Sequence, residues 1–254
     1  METSLPAPPA PVVAPPPPRF IAPWWHTLLL VAVLLIFSAL GSAGHPGLDH
    51  AMRMRLYIGT IVMEWLMVLY ILWGIRRAKQ TTLSELIGGR WKTPEDFLLD
   101  IATAAGFWIV ALLVLGGIGY ALGMDKIAHA KDMQQRVGSM LPSGKNETIT
   151  WILLCITAGF CEEVIFRGYF QSQFGMLLKS AWAGIIVQGL IFGGSHAYEG
   201  QAMIVIAAYG ILFGILAHWR KTLRPGMMAH FTHDMFQGLF AQKILEHALK
   251  AMPK

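Results

Sequence analysis

The sequence predicts an all-α polytopic membrane protein with about seven or eight transmembrane helices. Hydrophobic residues make up 55% of the chain and charged residues 14%, against about 45–50% and about 25% in soluble domains. The mean hydropathy of +0.51 agrees. Apolar runs of helix length recur along the chain, and a bilayer core about 30 Å thick needs roughly 20 apolar residues per crossing. The connections between these runs carry helix start and stop signals.

Taken in order, residues 1–23 are dominated by Pro, Ala and Val, with the run Pro15 to Pro18 before Arg19. Such a segment reads as an extended, solvated tail, and it lacks the charged start and short apolar core of a signal peptide. Residues 24–43, 54–74 and 97–122 each read as a spanning helix, free of Lys and Arg in their centres. The connection at 76–94 closes on Thr93-Pro94-Glu95-Asp96. That is a hydroxyl cap, a proline at the first helical position, then acids on the positive end of the dipole. An eighth helix requires the segment between the third and fourth runs to dip into the lipid. Leu141-Pro142-Ser143-Gly144 then breaks the chain, and residues 149–170, 181–197, 202–219 and 227–244 are of helix length but less purely apolar. The expected divisions are a tail at 1–23, N-terminal transmembrane helices and loops at 24–142, and a polar-centred helical bundle at 143–254.

The net charge of +5 is spread over the loops, which suits membrane lipid and forms no stripe for nucleic acid. Arg76, Arg77, Lys79, Arg90 and Lys92 crowd one connection and Arg220, Lys221 and Arg224 another. In a seven-helix chain both fall on one side, which favours the cytoplasm for that side. The loop at 123–148 opposes this with four basic residues of its own. Cys155 and Cys161 lie six apart on one helix, point in different directions, and read as packing residues rather than a disulfide. No internal repeat is visible, which counts against an inverted-repeat carrier.

The chemistry sits in the less apolar half. The stretch GFCEEVIFRGYF at 159–170 places Glu162, Glu163 and Arg167 inside a greasy run. An ionisable group at membrane depth costs about 2.5–3.5 kcal/mol on insertion scales, so each needs a partner or a cavity. Glu163 and Arg167 are four apart and share a face. Glu162 points about 100° away and needs a partner from another helix. Phe192-Gly193-Gly194-Ser195-His196 supplies one imidazole, and His230-Phe231-Thr232-His233-Asp234 places His230 and Asp234 on one face with His233 beside them. Singly, these read as a solvated helix face and interfacial histidines. Together, in segments apolar enough to span, they read as a polar cavity. Glu64, in the middle of the second run, is an intramembrane acid outside this set, and its plainest reading is a buried acid hydrogen-bonded to a neighbouring helix.

The ordered set Glu162-Glu163-x-x-x-Arg167-Gly168, Phe192-x-x-x-His196 and His230-x-x-x-Asp234 resembles the motifs of the CAAX protease and bacteriocin-processing (CPBP, or Abi) family of intramembrane endopeptidases, including type II CAAX prenyl endopeptidases. The resemblance covers about residues 143–242, with Phe166, Tyr169 and Pro225 as flanking matches. It implies a catalytic bundle formed by the last four helices and peptide-bond hydrolysis in a water-accessible cavity, without a covalent intermediate. Carried over, Glu162 is the general base and His196 holds and polarises the water. His230 and the residue at 234 stabilise the oxyanion, while Glu163 and Arg167 support the first glutamate. The chain departs from the family where Asp234 replaces the commoner asparagine, because an ionised aspartate cannot donate a hydrogen bond. His233 is an extra imidazole able to share that work.

Two alternatives stand beside this reading. Glu162, His196 and His230 match a two-His, one-Glu zinc set, although no His-Glu-x-x-His is present. No cofactor is favoured, and zinc is the alternative. The same polar cluster also suits a non-catalytic scaffold, a peptide-immunity factor or an ion-coupled transporter. There is no Gly-x-Ser-x-Gly elbow, Ser195 adjoins His196 rather than opposing it, and neither cysteine has a polar setting. The expected partners are membrane lipid and a peptide or protein substrate, lipid-modified substrates included, with no nucleic acid. The expected site is the cytoplasmic membrane of a bacterium.

Overall fold

Helix caps and breaks set the architecture. The computed structural model describes residues 20–42, 49–124 and 140–241; most of the expected tail, the segment that would hold an eighth span, and the end of the last predicted helix lie outside the described residues. Among the described residues there are eight helices and no strand: α1 Trp24–Ser42, α2 His50–Ala78, α3 Leu83–Ile87, α4 Pro94–Ala121, α5 Lys145–Leu177, α6 Ala181–Ser195, α7 Ala202–Arg220 and α8 Arg224–Phe236. The described parts of all seven expected spans fall on helices, and α3 is an added short one. Helices α2, α4, α5 and α7 are long and apolar enough to cross a membrane, whereas α6 and the Trp24–Leu40 stretch of α1 are shorter apolar helices.

The caps follow the local chemistry. Thr93 accepts from the Asp96 amide at 3.2 Å and Asp96 returns the bond to the Thr93 amide at 3.2 Å, with Pro94 opening α4. The same reciprocal box joins Thr82 and Glu85 at α3, and Asp49 caps α2 through the Met52 amide at 2.7 Å. The break before α5 is held differently. Glu147 reaches back to the Ser143 amide at 2.7 Å and is paired with Arg53 of α2 at 3.0 Å.

Outward faces are apolar: Leu66 is 53% exposed, Leu113 72% and Leu190 58%. A soluble monomer rarely shows contiguous surface of this kind, and lipid is its natural solvent. The chain is an integral membrane protein of several passes.

The core is built around the middle of α5. Val164, Ile165, Phe166, Tyr169 and Phe170 pack with Leu30 of α1, Val68, Ile71 and Ile75 of α2, and Phe192 of α6. A second cluster joins Ala104 and Ala111 of α4, Tyr209, Phe213 and Leu216 of α7, and Ala229 of α8. Helix α8 lies directly on α5, because a Cβ at Gly159 would stand 2.9 Å from the Met227 carbonyl oxygen. Only glycine permits that approach.

Helix α1 is pinned by a buried polar network. His26 Nδ1 meets the Tyr169 hydroxyl at 2.8 Å, Thr27 meets it at 2.9 Å, and Gln173 donates to Thr27 at 2.8 Å. At the end where the two basic connections lie, Thr222 and the Leu223 amide donate to the Ile87 carbonyl at 2.8 and 2.9 Å. Buried Asp100 there receives Arg220, Arg224 and Trp91 at 3.1, 2.9 and 2.8 Å. Both connections therefore share one end of the bundle, as the charge pattern predicts.

Candidate active site

Helix α5 changes its winding where its charges are. Residues Glu163–Phe170 form a π-helical segment, and all eight are buried. Such segments are rare, mark functional sites often, and carry no signal in the hydrophobic pattern. Glu163 Oε1 and Arg167 Nη1 stand 3.0 Å apart with neither side chain exposed, which is the pairing the spacing predicts. The guanidinium lies over the rings of Phe192, at 4.3 Å, and Phe213, at 4.8 Å. Its Nη2 donates to the Gly210 carbonyl at 3.4 Å, which also accepts from Gln188 at 2.8 Å. Aromatic faces thus replace part of the hydration that this cation has lost.

His230 of α8 ties the two glutamates together. Its Nδ1 stands 3.1 Å from Glu163 Oε1, and its Nε2 is 3.5 Å from Glu162 Oε2 and 3.8 Å from Asp234 Oδ2. The first distance is a hydrogen bond; the other two are charge contacts with room between the groups. The partner that Glu162 needed is therefore His230. Exposure grades across the cluster: the Glu163 and Arg167 side chains are at 0%, Glu162 at 16% and Asp234 at 26%. A sealed ion pair underlies a carboxylate that solvent reaches.

His196 caps the end of α6. Its Nδ1 is 2.8 Å from the Phe192 carbonyl oxygen and 3.2 Å from Ser195 Oγ. A carbonyl only accepts, so Nδ1 carries the proton and Nε2 presents its lone pair. His196 has no hydrogen bond to Glu162 or His230; the Phe192 ring neighbours both histidines, 4.8 Å from the His196 imidazole and 6.1 Å from that of His230. Among the described residues no three of His, Cys, Asp and Glu are grouped as a metal ion requires, so Glu162, His196 and His230 do not form a ready zinc set. Ser195 donates to the Phe192 carbonyl at 2.8 Å, a backbone-bonding role rather than a nucleophile's.

His233 makes no hydrogen bond to His230 and engages other partners. Its ring lies 4.9 Å from Tyr209, and its Nε2 accepts from Gln237 at 2.8 Å. Both cysteines are buried and free. Glu64 is 4% exposed, and its Oε2 has no hydrogen-bond partner among the described residues, which corrects the expectation of a bonded acid. It lies instead in the electrostatic field of Glu162 and Asp234.

Sequence reasoning missed three contributors. Phe213 and Gln188 sit in plain apolar helices, and the motif pattern gives them no weight. Ser38 of α1 donates to the Gly194 carbonyl at 2.9 Å and accepts from the Ala197 amide at 3.1 Å. One hydroxyl thus holds the backbone on both sides of His196.

Fold and site together define a polytopic membrane protein with an acid–imidazole centre inside its bundle. Residues 144–236 match the family described as type II CAAX prenyl endopeptidase Rce1-like. This part of the chain is similar to Rce1-like members of the CPBP family, a family of intramembrane peptidases. The matched stretch holds Glu162, Glu163, Arg167, Phe192, His196, His230 and Asp234. Ser38 and Glu64 lie before it. No curated protein and no solved structure matches the chain.

Proposed function

We infer that the chain is an integral membrane endopeptidase that hydrolyses a peptide bond near the membrane surface with water activated by Glu162. The observation that carries this reading is the partly open Glu162 carboxylate 3.5 Å from a His230 whose other nitrogen is bonded to a sealed Glu163–Arg167 pair. A general base needs free acceptor capacity and a fixed position. Glu162 has the first because its imidazole contact is loose, and the second because its neighbour Glu163 is locked.

In the proposed reaction a water gives a proton to Glu162 as its oxygen bonds to the carbonyl carbon of the substrate. The lone pair of His196 Nε2 accepts the second hydrogen of that water and orients it. Negative charge develops on the carbonyl oxygen beside His230. Collapse of the tetrahedral intermediate breaks the C–N bond, and Glu162 returns its proton to the leaving amine. Asp234 holds His230 from the open side. The substrate is a peptide or protein, lipid-modified chains included, met in the cytoplasmic membrane of a bacterium with the basic connections on the cytoplasmic side.

The test compares new peptide termini in membranes of cells expressing wild type or Glu162→Gln at equal levels. Termini confined to wild type establish the protease, and identical profiles return the cluster to a binding or transport role.

Two further results are expected. Turnover survives exhaustive chelation, whereas loss of activity restored by added zinc overturns the glutamate mechanism. Ser38→Ala lowers turnover by up to about 10²-fold through a misplaced His196 while KM changes little. Unchanged turnover in that variant removes α1 from the site.

A further inference from the structure

Three carboxyls gather on the open side of the bundle centre, and one of them belongs to no motif. Arg53, Tyr57, Glu64 and Val68 lie on one buried stripe of α2, and three contacts fix how that stripe sits on α5. Arg53 pairs with Glu147 at 3.0 Å, the Tyr57 ring meets that of Trp151 at 5.3 Å, and Trp65 stacks on Phe160 at 5.5 Å. The two helices therefore run side by side in the same direction, and Glu64 stands at the level of Phe160, within a turn of Glu162. Helix α8 reaches the same place, because Trp151 also donates to the Asp234 carbonyl at 3.2 Å. The Glu64 carboxyl lies in the electrostatic field of Glu162 and Asp234, and the Tyr198 phenol, in the turn after His196, lies in the field of all three. The Tyr198 ring is 5.7 Å from that of His196.

The charges at this junction do not balance. Arg53 is matched by Glu147, and Arg167 by Glu163. His230 Nε2 approaches Glu162 at 3.5 Å and Asp234 at 3.8 Å, one imidazole nitrogen against two carboxyls. Glu64, 4% exposed, adds an Oε2 with no hydrogen-bond partner among the described residues. A buried acid left without a partner at membrane depth opposes folding, and leucine would serve packing better. A cation arriving from outside would match it.

We propose that Glu64, Asp234 and Tyr198 form a subsite for a basic side chain of the peptide substrate, the ammonium of lysine or the guanidinium of arginine, which holds the peptide with its scissile bond at Glu162. The carboxyls pair with the cation, and the face of the Tyr198 ring lies beside it. The aliphatic stem of either residue crosses the apolar surroundings while its charged head reaches the acids. Glu162 remains the base. The assignment rests on the proposed hydrolysis and adds a specificity to it.

The experiment aligns, by the scissile bond, the termini found with wild type and absent with Glu162→Gln at equal membrane levels. Lysine or arginine is expected to be enriched at one fixed position. A peptide copied from the most abundant site, and its counterpart with norleucine at that position, are then supplied to wild type, Glu64→Gln and Glu64→Asp in detergent. Wild type prefers the basic peptide by about 10²-fold in kcat/KM, mostly through KM. Glu64→Gln reduces that preference at least about tenfold, with a melting temperature unchanged or higher, and Glu64→Asp restores part of it. Wild-type-specific sites with no basic residue enriched at any position overturn the subsite. So does a Glu64→Gln preference within twofold of wild type, since a merely structural acid leaves the choice between the two peptides untouched. The wild-type site profile decides on its own if Glu64→Gln does not accumulate. Identical termini from wild type and Glu162→Gln sink the hydrolytic reading and the subsite with it, whereas wild-type-specific sites lacking a basic residue sink the subsite alone.

Discussion

Glu162→Gln is expected to lower turnover by about 10²–10⁴-fold, the usual contribution of a positioned base, and to leave the fold intact. Glutamine has the same shape and keeps one acceptor, so the 3.5 Å approach of His230 Nε2 to position 162 survives as a contact with the amide oxygen. What disappears is the capacity to take a proton. The neighbouring Glu163 cannot take over, because its Oε1 is bonded to His230 and paired with Arg167, and its side chain is sealed from solvent. Measured at substrate saturation, the loss falls on kcat with KM nearly unchanged, since the substituted group acts in the transition state. A Glu162→Gln protein that retains wild-type turnover and wild-type stability would falsify the base assignment.

Arg167→Met is expected to have the largest effect on stability. Breaking a buried pair from one side leaves the other charge uncompensated and costs about 3–5 kcal/mol; here the stranded group is Glu163, at 0% exposure. Methionine fills the slot between Phe192 and Phe213 but supplies no donor for Glu163 Oε1 or for the Gly210 carbonyl. The double variant Glu163→Gln/Arg167→Met removes both charges and should recover most of the lost melting temperature. Recovery of the fold need not bring recovery of activity, because His230 then loses the carboxylate that sets its Nδ1. Melting curves of the two singles and the double give the coupling directly. Independent, additive losses would show that the pair is not a unit.

The legible part of the site was the part written in helical spacing. Glu163 and Arg167, four apart, meet at 3.0 Å, and His230 and Asp234, four apart, stand on one face at 3.8 Å. The need of Glu162 for a partner on another helix was legible too, because an acid at membrane depth must be engaged. Its identity was not, since it depends on how closely α8 lies on α5 at Gly159. The π segment was hidden for a different reason: an apolar run buried on every side has no periodic face from which to read its winding. His196 was correctly placed at the end of an apolar run, but nothing local indicated that a serine 158 positions earlier would hold its backbone. Ser38 is a single hydroxyl in a greasy helix, a position that local sequence cannot distinguish from a lipid-facing one. Glu64 was legible as unusual and misread as satisfied. The aromatic slot around Arg167 is assembled from α6 and α7 and exists only in the packed bundle.

The polar network beneath α1 has a consequence for biogenesis. Its bonds join residues 142 to 146 positions apart, with His26 and Thr27 on one side and Tyr169 and Gln173 on the other, all buried. During synthesis α1 enters the bilayer long before α5 has been made. Until then the imidazole and hydroxyl that α5 will satisfy must be met by backbone, headgroups or water, at a cost that favours the helix staying near the interface or the translocon. The arrival of α5 removes that cost and seats α1, whose Ser38 closes the His196 turn. A helix with no motif of its own is thus committed to the bundle only when α5 is complete, which couples its membrane insertion to assembly of the acid–imidazole centre.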